Sequence, residues 1–375
     1  MELTAADALA LRMTSLLLRG GPGGAETSRP TDVAGVVTWF GAMQAQDAAS
    51  AMWSLGARLP GFTAADVHDA LERREAVRTW PMRGTVHLVP LRDARWMLEV
   101  MGVRALAGSA ARRATLGLSE EAADRAVDVL GAALAGGGRL TRSQCLAVLA
   151  EAGLTGSGQF GYHVLWYASQ RGVTCIAPDI GKEQSFVLLD EWAPDPHRPD
   201  REEALATIAT RYFRSHGPTT RQDFAGWTGL TAADAKLGIA AAGTALATVR
   251  VEGVDMLLSP AVLDAHRAGP VVAPRLEMLA LPGFDEYLLG FKDRSMMLAD
   301  EHKQAIIPGG NGVFQPTIVR EGRVIATWKR SVLRGQLVVR VAPLVPVSAV
   351  EQRYVAEALT PYAAFVGHPL QVQWL

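Results

Sequence analysis

The chain reads as an α+β protein made of three tandem winged-helix units and a C-terminal α+β, β-rich region. Two observations along residues 1–258 and one beyond them predict this class. Capped helices followed by a pair of β-rich runs occur three times in succession. Leu140-Thr-Arg-Ser-Gln144 and Thr219-Thr-Arg-Gln-Asp223 match in character and in position relative to the β-rich pair behind them. That makes a degenerate repeat of roughly a hundred residues, outside the solenoid range of about 20–50. From 262 onward the pattern changes to strands around one long helix. The expected units are therefore 1–90, 91–195, 196–261 and 262–375.

In order, residues 4–19 form a helix with Leu9, Leu11, Leu16 and Leu18 among its apolar positions, and 20–30 form a Gly/Pro-rich loop. Thr31 or Asp32 caps a helix to about Met43, a second runs over 47–58, and Thr63 caps a third from Ala64 to Arg74. Strands at 76–80 and 83–89 flank Pro81. Helices at 91–107, 119–136, about 142–152 and 157–171 precede strands near 173–177 and 184–190. The third unit has a helix at 201–215, continues through the segment Gly217 to Asp223, and then has a helix at 231–241 and strands at 245–251 and 254–258. Val319 to Trp328 reads as a hairpin turning at Glu321-Gly322, followed by a strand at 337–341, a helix at 347–365 and a closing strand at 370–375.

Composition narrows the function. The chain has 375 residues, 49% hydrophobic and 20% charged, with a net charge of −1, so no global positive field announces nucleic acid. A DNA surface has to be a local basic face. Lys182, Lys236, Lys292, Lys303 and Lys329 are the lysines, so arginine, the bidentate phosphate ligand, supplies most of the 37 positive charges. Cys145 and Cys175 lie in apolar contexts as reduced core thiols. No CxxC or HExxH spacing suggests a metal, and no cofactor is expected. The N-terminus lacks a basic leader and no apolar run approaches 18 residues, which predicts a cytoplasmic protein without a membrane segment.

Chemistry concentrates in Val37 to Ser50, where an apolar helical run ends in Gln44 and Gln46. Neither amide titrates, so alone the pair is no acid, base or metal site. It is either a solvated helix end or a catalytic centre. Along Arg83-Gly-Thr-Val-His87, period-two alternation puts Arg83, Thr85 and His87 on one strand face. That face lines a phosphate or base site or is an ordinary exposed surface; the residues leave both open. His163, on a helix rich in Tyr162, Trp166 and Tyr167, reads as core packing. Gly309-Gly-Asn-Gly312 is a plain turn or a hairpin tip probing a groove, and Trp328-Lys-Arg330 places two cations beside an aromatic. The helix carrying His68, Arg73 and Arg74 also carries Asp66, Asp69 and Glu72, a poor balance for reading DNA.

Several stretches then converge on one family. Gln44-Ala-Gln-Asp47, Val77 to His87, His216-Gly-Pro-Thr-Thr-Arg-Gln-Asp-Phe-Ala-Gly-Trp-Thr-Gly229, Leu281 to Arg294 and Asn311-Gly-Val-Phe-Gln-Pro316 through Trp328 resemble the AlkZ/YcaQ-type winged-helix DNA glycosylases. The resemblance spans nearly the whole chain. It implies tandem winged helices in a C-shaped arrangement with a basic concave DNA surface. It also implies metal-free hydrolysis of the N-glycosidic bond of bulky or crosslinking N7-alkylpurines. Gln44-Ala45-Gln46 matches the Gln-x-Gln motif of the AlkZ-like branch, while Asp47 falls one place too late for the Gln-x-Asp motif of the other. The AlkZ-like branch is often associated with self-resistance to DNA-alkylating antibiotics.

Two glutamines can suffice because an N7-alkylated purine already carries positive charge and leaves as a neutral base. What remains is to hold a water against C1′ and to face the developing sugar cation with carbonyl dipoles. On an α-helix, positions i and i+2 point about 200° apart, so Gln44 and Gln46 are expected outside regular helix. Arg83, Thr85, His87, Lys329 and Arg330 are the expected DNA-binding residues, and the expected partner is double-stranded DNA containing alkylated purines, bound by a monomer. The rival reading is a non-catalytic winged-helix DNA-binding regulator, which would call for a dimer helix that the sequence does not display.

Overall fold

The computed structural model describes residues 1–19, 29–156, 158–267 and 276–375. The expected loop at 20–30 lies largely outside them. Helices start where side-chain oxygens satisfy the orphan amides of a first turn. Thr4, Thr63, Thr141, Thr220 and Ser348 each form a reciprocal capping box with the acid or amide three residues on. Asp32 caps Val33–Phe40, and Gly41, at φ 81°, ends that helix. Asp47, a nearby carboxylate in the sequence, is the N-cap of Ala48–Gly56, accepting from the Ser50 amide at 2.7 Å.

The strands form three sheets. Val77–Met82 and Thr85–Val89 make the first hairpin, and the two-residue strand Met43–Gln44 adds to its edge. Thr174–Ile180 and Glu183–Leu188 make the second, edged by Leu140–Thr141. Arg78 pairs with Ile176 and fuses both hairpins into one six-stranded sheet. The third hairpin, Ala247–Val251 with Val254–Leu258, is joined in parallel by the N-terminal strand Glu2–Leu3. The C-terminal sheet orders Met278–Leu281, Thr317–Arg320, Arg323–Leu333, Gln336–Pro343 and Leu370–Trp374, the last pair parallel. Helix Ala349–Val366 packs on this sheet and reaches the helix Ala48–Gly56, where Trp53 lies against Tyr362 and Phe365.

Burial links these parts. One apolar cluster runs from Leu9 through Trp53 and Trp80 to Trp166, Tyr287 and Trp328. A second joins the first hairpin to Trp96, Tyr212 and Trp227. Trp53, Trp80, Trp227 and Trp328 are each at most 3% exposed, and burying such a ring stabilises by about 2–3 kcal/mol or more.

Three local readings change. Trp328 points into the core, its indole N–H donating to Leu281 O at 3.0 Å; strand alternation turns Lys329 to the opposite face, whereas Arg330 shares the Trp328 side and lies over the same Tyr362 ring. Gly309–Gly312 follows a short helix and joins no pair of strands, so it is not a hairpin tip. Arg83 is not a strand residue but the first residue of the turn, for a reason given below. No helix among the described residues is long and apolar enough to cross a membrane.

Candidate active site

Gln44 and Gln46 both lie outside helix. Gln44 belongs to the short strand paired with His87, and Gln46 sits just before the Asp47 cap. The segment 41–47 between the helices Val33–Phe40 and Ala48–Gly56 is held out of helix by its pairing with the first hairpin. The Ala45 amide donates to Val86 O at 2.8 Å, and Gln46 Oε1 accepts from the Val86 amide at 3.2 Å. An extended backbone turns i and i+2 to the same side. Gln44 is 7% exposed while Gln46 is exposed, so the pair spans the boundary between interior and solvent.

Arg83 reaches this pair from a tight turn. Met82 and Thr85 are paired across Arg83-Gly84, whose φ values are 55° and 71°. Two left-handed residues in a two-residue loop match the strand twist. Gly accepts that conformation freely; arginine does so at a cost of about 1 kcal/mol or more. Arg83 Nη2 donates to Gln44 Oε1 at 3.3 Å and lies 3.2 Å from His87 Nε2.

His87 is fully buried. Burial first, and Arg83 second, push its pKa down to about 3, so the ring is neutral near pH 7. Its Nδ1 lies 2.9 Å from Thr85 O, a carbonyl that can only accept. The proton therefore sits on Nδ1, and Nε2 accepts from Arg83. The sequence placed Arg83, Thr85 and His87 side by side; the structure stacks His87 beneath Arg83. Thr85 Oγ1 is buried without a partner among the described residues.

Beneath Gln44 lies a carboxylate that sequence reasoning missed. Glu286 Oε1 accepts from the Gln44 backbone amide at 2.8 Å, and Oε2 accepts from Trp227 Nε1 at 2.9 Å and faces His216 Nε2 at 3.3 Å. Burial alone would raise its pKa, but hydrogen bonding from His216, that ring's charge and the Gln44 amide bring it to about 2. His216 stacks on Tyr212 and meets Phe40 edge-on. The neighbouring Asp285 takes Arg58 in a bidentate pair at 2.8 and 2.9 Å and Ser54 Oγ at 2.7 Å. Two consecutive acids thus fix both sides of the Gln-x-Gln segment: Glu286 its strand, Asp285 the helix behind it. A signal was present, since adjacent acids in the apolar run Leu281 to Phe291 must find partners if buried.

Lys329 and Arg330 are exposed on the strand Arg323–Leu333. The Arg330 guanidinium lies 5.5 Å from the Tyr362 ring centre. A groove of about 500 Å³ beside it is shared by Ala49 and Met52, on the helix that follows Gln46, with Val332 and Tyr362. Arg330 thus borders a groove that also touches the helix following Gln46. Cys145 and Cys175 are buried and unoxidised, and burial pushes the Cys145 thiol up to about 12.

The arrangement offers two neutral carbonyl acceptors at a partly open surface, a guanidinium against one of them and an ionised carboxylate behind it. The family model described as DNA glycosylase AlkZ-like matches residues 37–365. The interstrand DNA cross-link repair glycosylase of Streptomyces sahachiroi is 31% identical over 299 residues, covering 74% of this chain and 76% of that protein. The solved structure of the Streptomyces sahachiroi DNA glycosylase AlkZ has the same fold, with a TM-score of 0.79, 25% identity and 100% of both chains covered. Motif, fold and full-length match agree: the chain belongs to the AlkZ-like family of DNA glycosylases.

Proposed function

We propose that the protein is a monofunctional glycosylase that hydrolyses the N-glycosidic bond of bulky or crosslinking N7-alkylpurine adducts, using a water held by Gln44 and Gln46. The observation that supports this reading is that both amides lie in a non-helical segment beside the Arg83 turn, each oxygen with one protein donor among the described residues. Gln44 Oε1 takes Arg83 and Gln46 Oε1 takes the Val86 amide. A carbonyl oxygen has two acceptor sites, so each keeps one for a water proton.

The water oxygen attacks C1′ as the C1′–N9 bond breaks and the purine departs neutral, its cationic charge cancelled by the bonding electrons. The proton released from the water passes to solvent. No group has to protonate the base, unlike ordinary glycoside hydrolysis. Weak neutral acceptors serve here because they leave normal purines, which are poor leaving groups, intact. Comparable excision of unmodified guanine would contradict this selectivity.

In this reading the helix and hairpin sets over 1–90, 91–195 and 196–261 are three winged-helix units around the DNA, in a C-shaped arrangement closed by 262–375. Arg83, Lys329 and Arg330 contact the backbone on either side of the lesion. Thr85, whose hydroxyl is buried, acts through its carbonyl on His87, and His87 acts through Arg83. The protein works as a cytoplasmic monomer on double-stranded DNA. The crosslink-repair relative supports bulky adducts as substrates, in DNA repair or in self-resistance to an alkylating natural product.

The test is to incubate the protein with duplex DNA carrying an N7-alkylguanine adduct and to assay alkali-labile abasic sites. Wild type should produce them, whereas Gln44→Ala and Gln46→Ala should each lose about 10²–10³ in rate. Tight binding of the same duplex with no abasic product would instead support a non-catalytic DNA-binding protein.

A further inference from the structure

A second polar cleft, of about 400 Å³, opens on the far side of the Arg83-Gly84 turn. One wall is the turn itself. The other is the stretch carrying Arg104, Ser109 and Arg112, and the floor is His163 and Trp166 of the helix Phe160–Gln170. The helix over 94–108 widens by a π-helical stretch at Leu98–Gly102. A Cβ on Gly102 would meet Gln170 Oε1 at 2.8 Å, which marks how closely the backbone passes there. Such widened turns recur at functional sites because they redirect the side chains that follow. Here the residues that follow are Arg104 and Arg112.

The cleft is cationic and incompletely bonded. Arg104 Nη1 is anchored on Gly229 O at 3.0 Å and Arg112 Nη2 on Gln159 Oε1 at 2.7 Å, which leaves each guanidinium further donors. Both residues are exposed. His163, 7% exposed, lies on Trp166 with ring centres 5.2 Å apart, and its Nε2 has no partner among the described residues. Burial, with Arg113 and Arg112 nearby, lowers the His163 pKa. Among the described residues, no carboxylate lines the cleft. The aromatic rings are mostly covered, so a base has little face to stack on, whereas forked guanidiniums match a phosphate.

From this geometry we infer that the cleft seats one phosphodiester of the DNA strand, held by Arg104 and Arg112 and reached on its near side by Arg83. Arg83 both lines the cleft and bonds Gln44. The phosphate therefore belongs to a nucleotide close to the lesion, and its occupancy sets where C1′ lies relative to the glutamines. The inference rests on the glycosylase reading for the identity of the strand, but its readout is binding.

The experiment pairs protein variants with single methylphosphonate linkages, which remove one backbone charge, walked along a duplex around one N7-alkylguanine. Arg104→Ala and Arg112→Ala each weaken binding by about tenfold and flatten the slope of log K against log salt by about 0.9. At one linkage near the lesion, the methylphosphonate and Arg112→Ala cost no more together than either alone. Additive losses at every linkage, or an unchanged salt slope with unchanged melting temperature, overturn the inference. Wild-type excision of the same duplex is scored separately. Excision with additive losses rejects the cleft alone, and non-additive binding without excision rejects the glycosylase reading alone.

Discussion

Two hairpins of this protein turn on the same dipeptide. Arg83-Gly84 and Arg334-Gly335 both adopt left-handed backbone, with φ 55° and 71° in one and 51° and 79° in the other. Each asks an arginine to sit where Asn, Asp or Gly is at ease. Their surroundings differ. Arg83 reaches inward to Gln44 Oε1 and to a fully buried His87. Arg334 is exposed beside Val332 and Leu333, each 52% exposed, at the end of a strand that also carries Lys329 and Arg330. The same strained turn thus serves two purposes. In the first, the position fixes a guanidinium against the Gln44 amide oxygen; in the second, it presents one to solvent. The network under the turn, not the turn itself, makes the difference.

Removing that network gives the largest effect. Glu286→Ala leaves the Gln44 amide and the Trp227 indole N–H without their acceptor and His216 without its counterpart. The expected cost is about 3–5 kcal/mol of stability, read by chemical denaturation, because buried partners are stranded. Glu286→Gln keeps one acceptor oxygen and should cost less than half of that. If the two variants unfold alike, the carboxylate is not what holds the strand.

Next comes the turn itself. Arg83→Ala is expected to lower the single-turnover excision rate by about 10²–10³, with melting temperature maintained. Arg83→Asn should even raise stability by up to about 1 kcal/mol, since asparagine tolerates the left-handed region, while excision stays low. Arg334→Asn should gain similar stability and keep the chemical rate. Equal losses of rate at both turns would erase the distinction drawn above.

How much of this was legible in the sequence follows the range of each interaction. Caps and tight turns are local. Thr63-Ala-Ala-Asp66 announces its helix, and Glu321-Gly322 its hairpin. The non-helical placement of Gln44 and Gln46 was likewise legible, because two residues two apart converge only on extended backbone. Long-range choices were hidden. Nothing near Glu2 says that it pairs with Arg250, nor near Arg78 that it pairs with Ile176. Glu286 lies 242 residues from the amide it accepts, and an acid in an apolar run identifies a need for partners but not the partners. Arg83 was misassigned to a strand because alternation was counted through a turn; the Gly84 next to it was the available correction.

The network under the first turn also makes a pH prediction. With the His87 pKa near 3 in the folded protein and 6.5 for the ordinary side chain, the unfolded chain binds an extra proton between those values. Its contribution to stability is therefore complete above about pH 6.5 and is lost as pH falls towards 3. The slope is about 1.4 kcal/mol per pH unit, or roughly 2 kcal/mol between pH 6.5 and 5. Glu286 adds a similar loss only below its ordinary value of 4.5, down to about 2. Denaturation of His87→Asn across pH 5–7 should show a slope shallower by one proton. A slope equal to wild type would mean that His87 is not held neutral under Arg83.

The smallest effects belong to the exposed turn, and their form matters more than their size. An exposed cation facing a phosphate gains little Coulomb energy at physiological salt but releases counterions on binding. Lys329→Ala, Arg330→Ala and Arg334→Ala should each weaken DNA affinity only a few-fold while reducing the salt slope by about 0.9. Excision from the saturated complex should be unchanged, because none of these side chains bonds Gln44 or Gln46. Arg330 is the sharpest of the three. Its guanidinium already lies against Tyr362, so Arg330→Lys retains the charge and the salt slope but loses the planar contact with the ring. If Arg330→Lys instead slows excision in the saturated complex, the groove shared by Ala49, Met52 and Val332 positions the lesion rather than the backbone, and the two turns would then act on the same step.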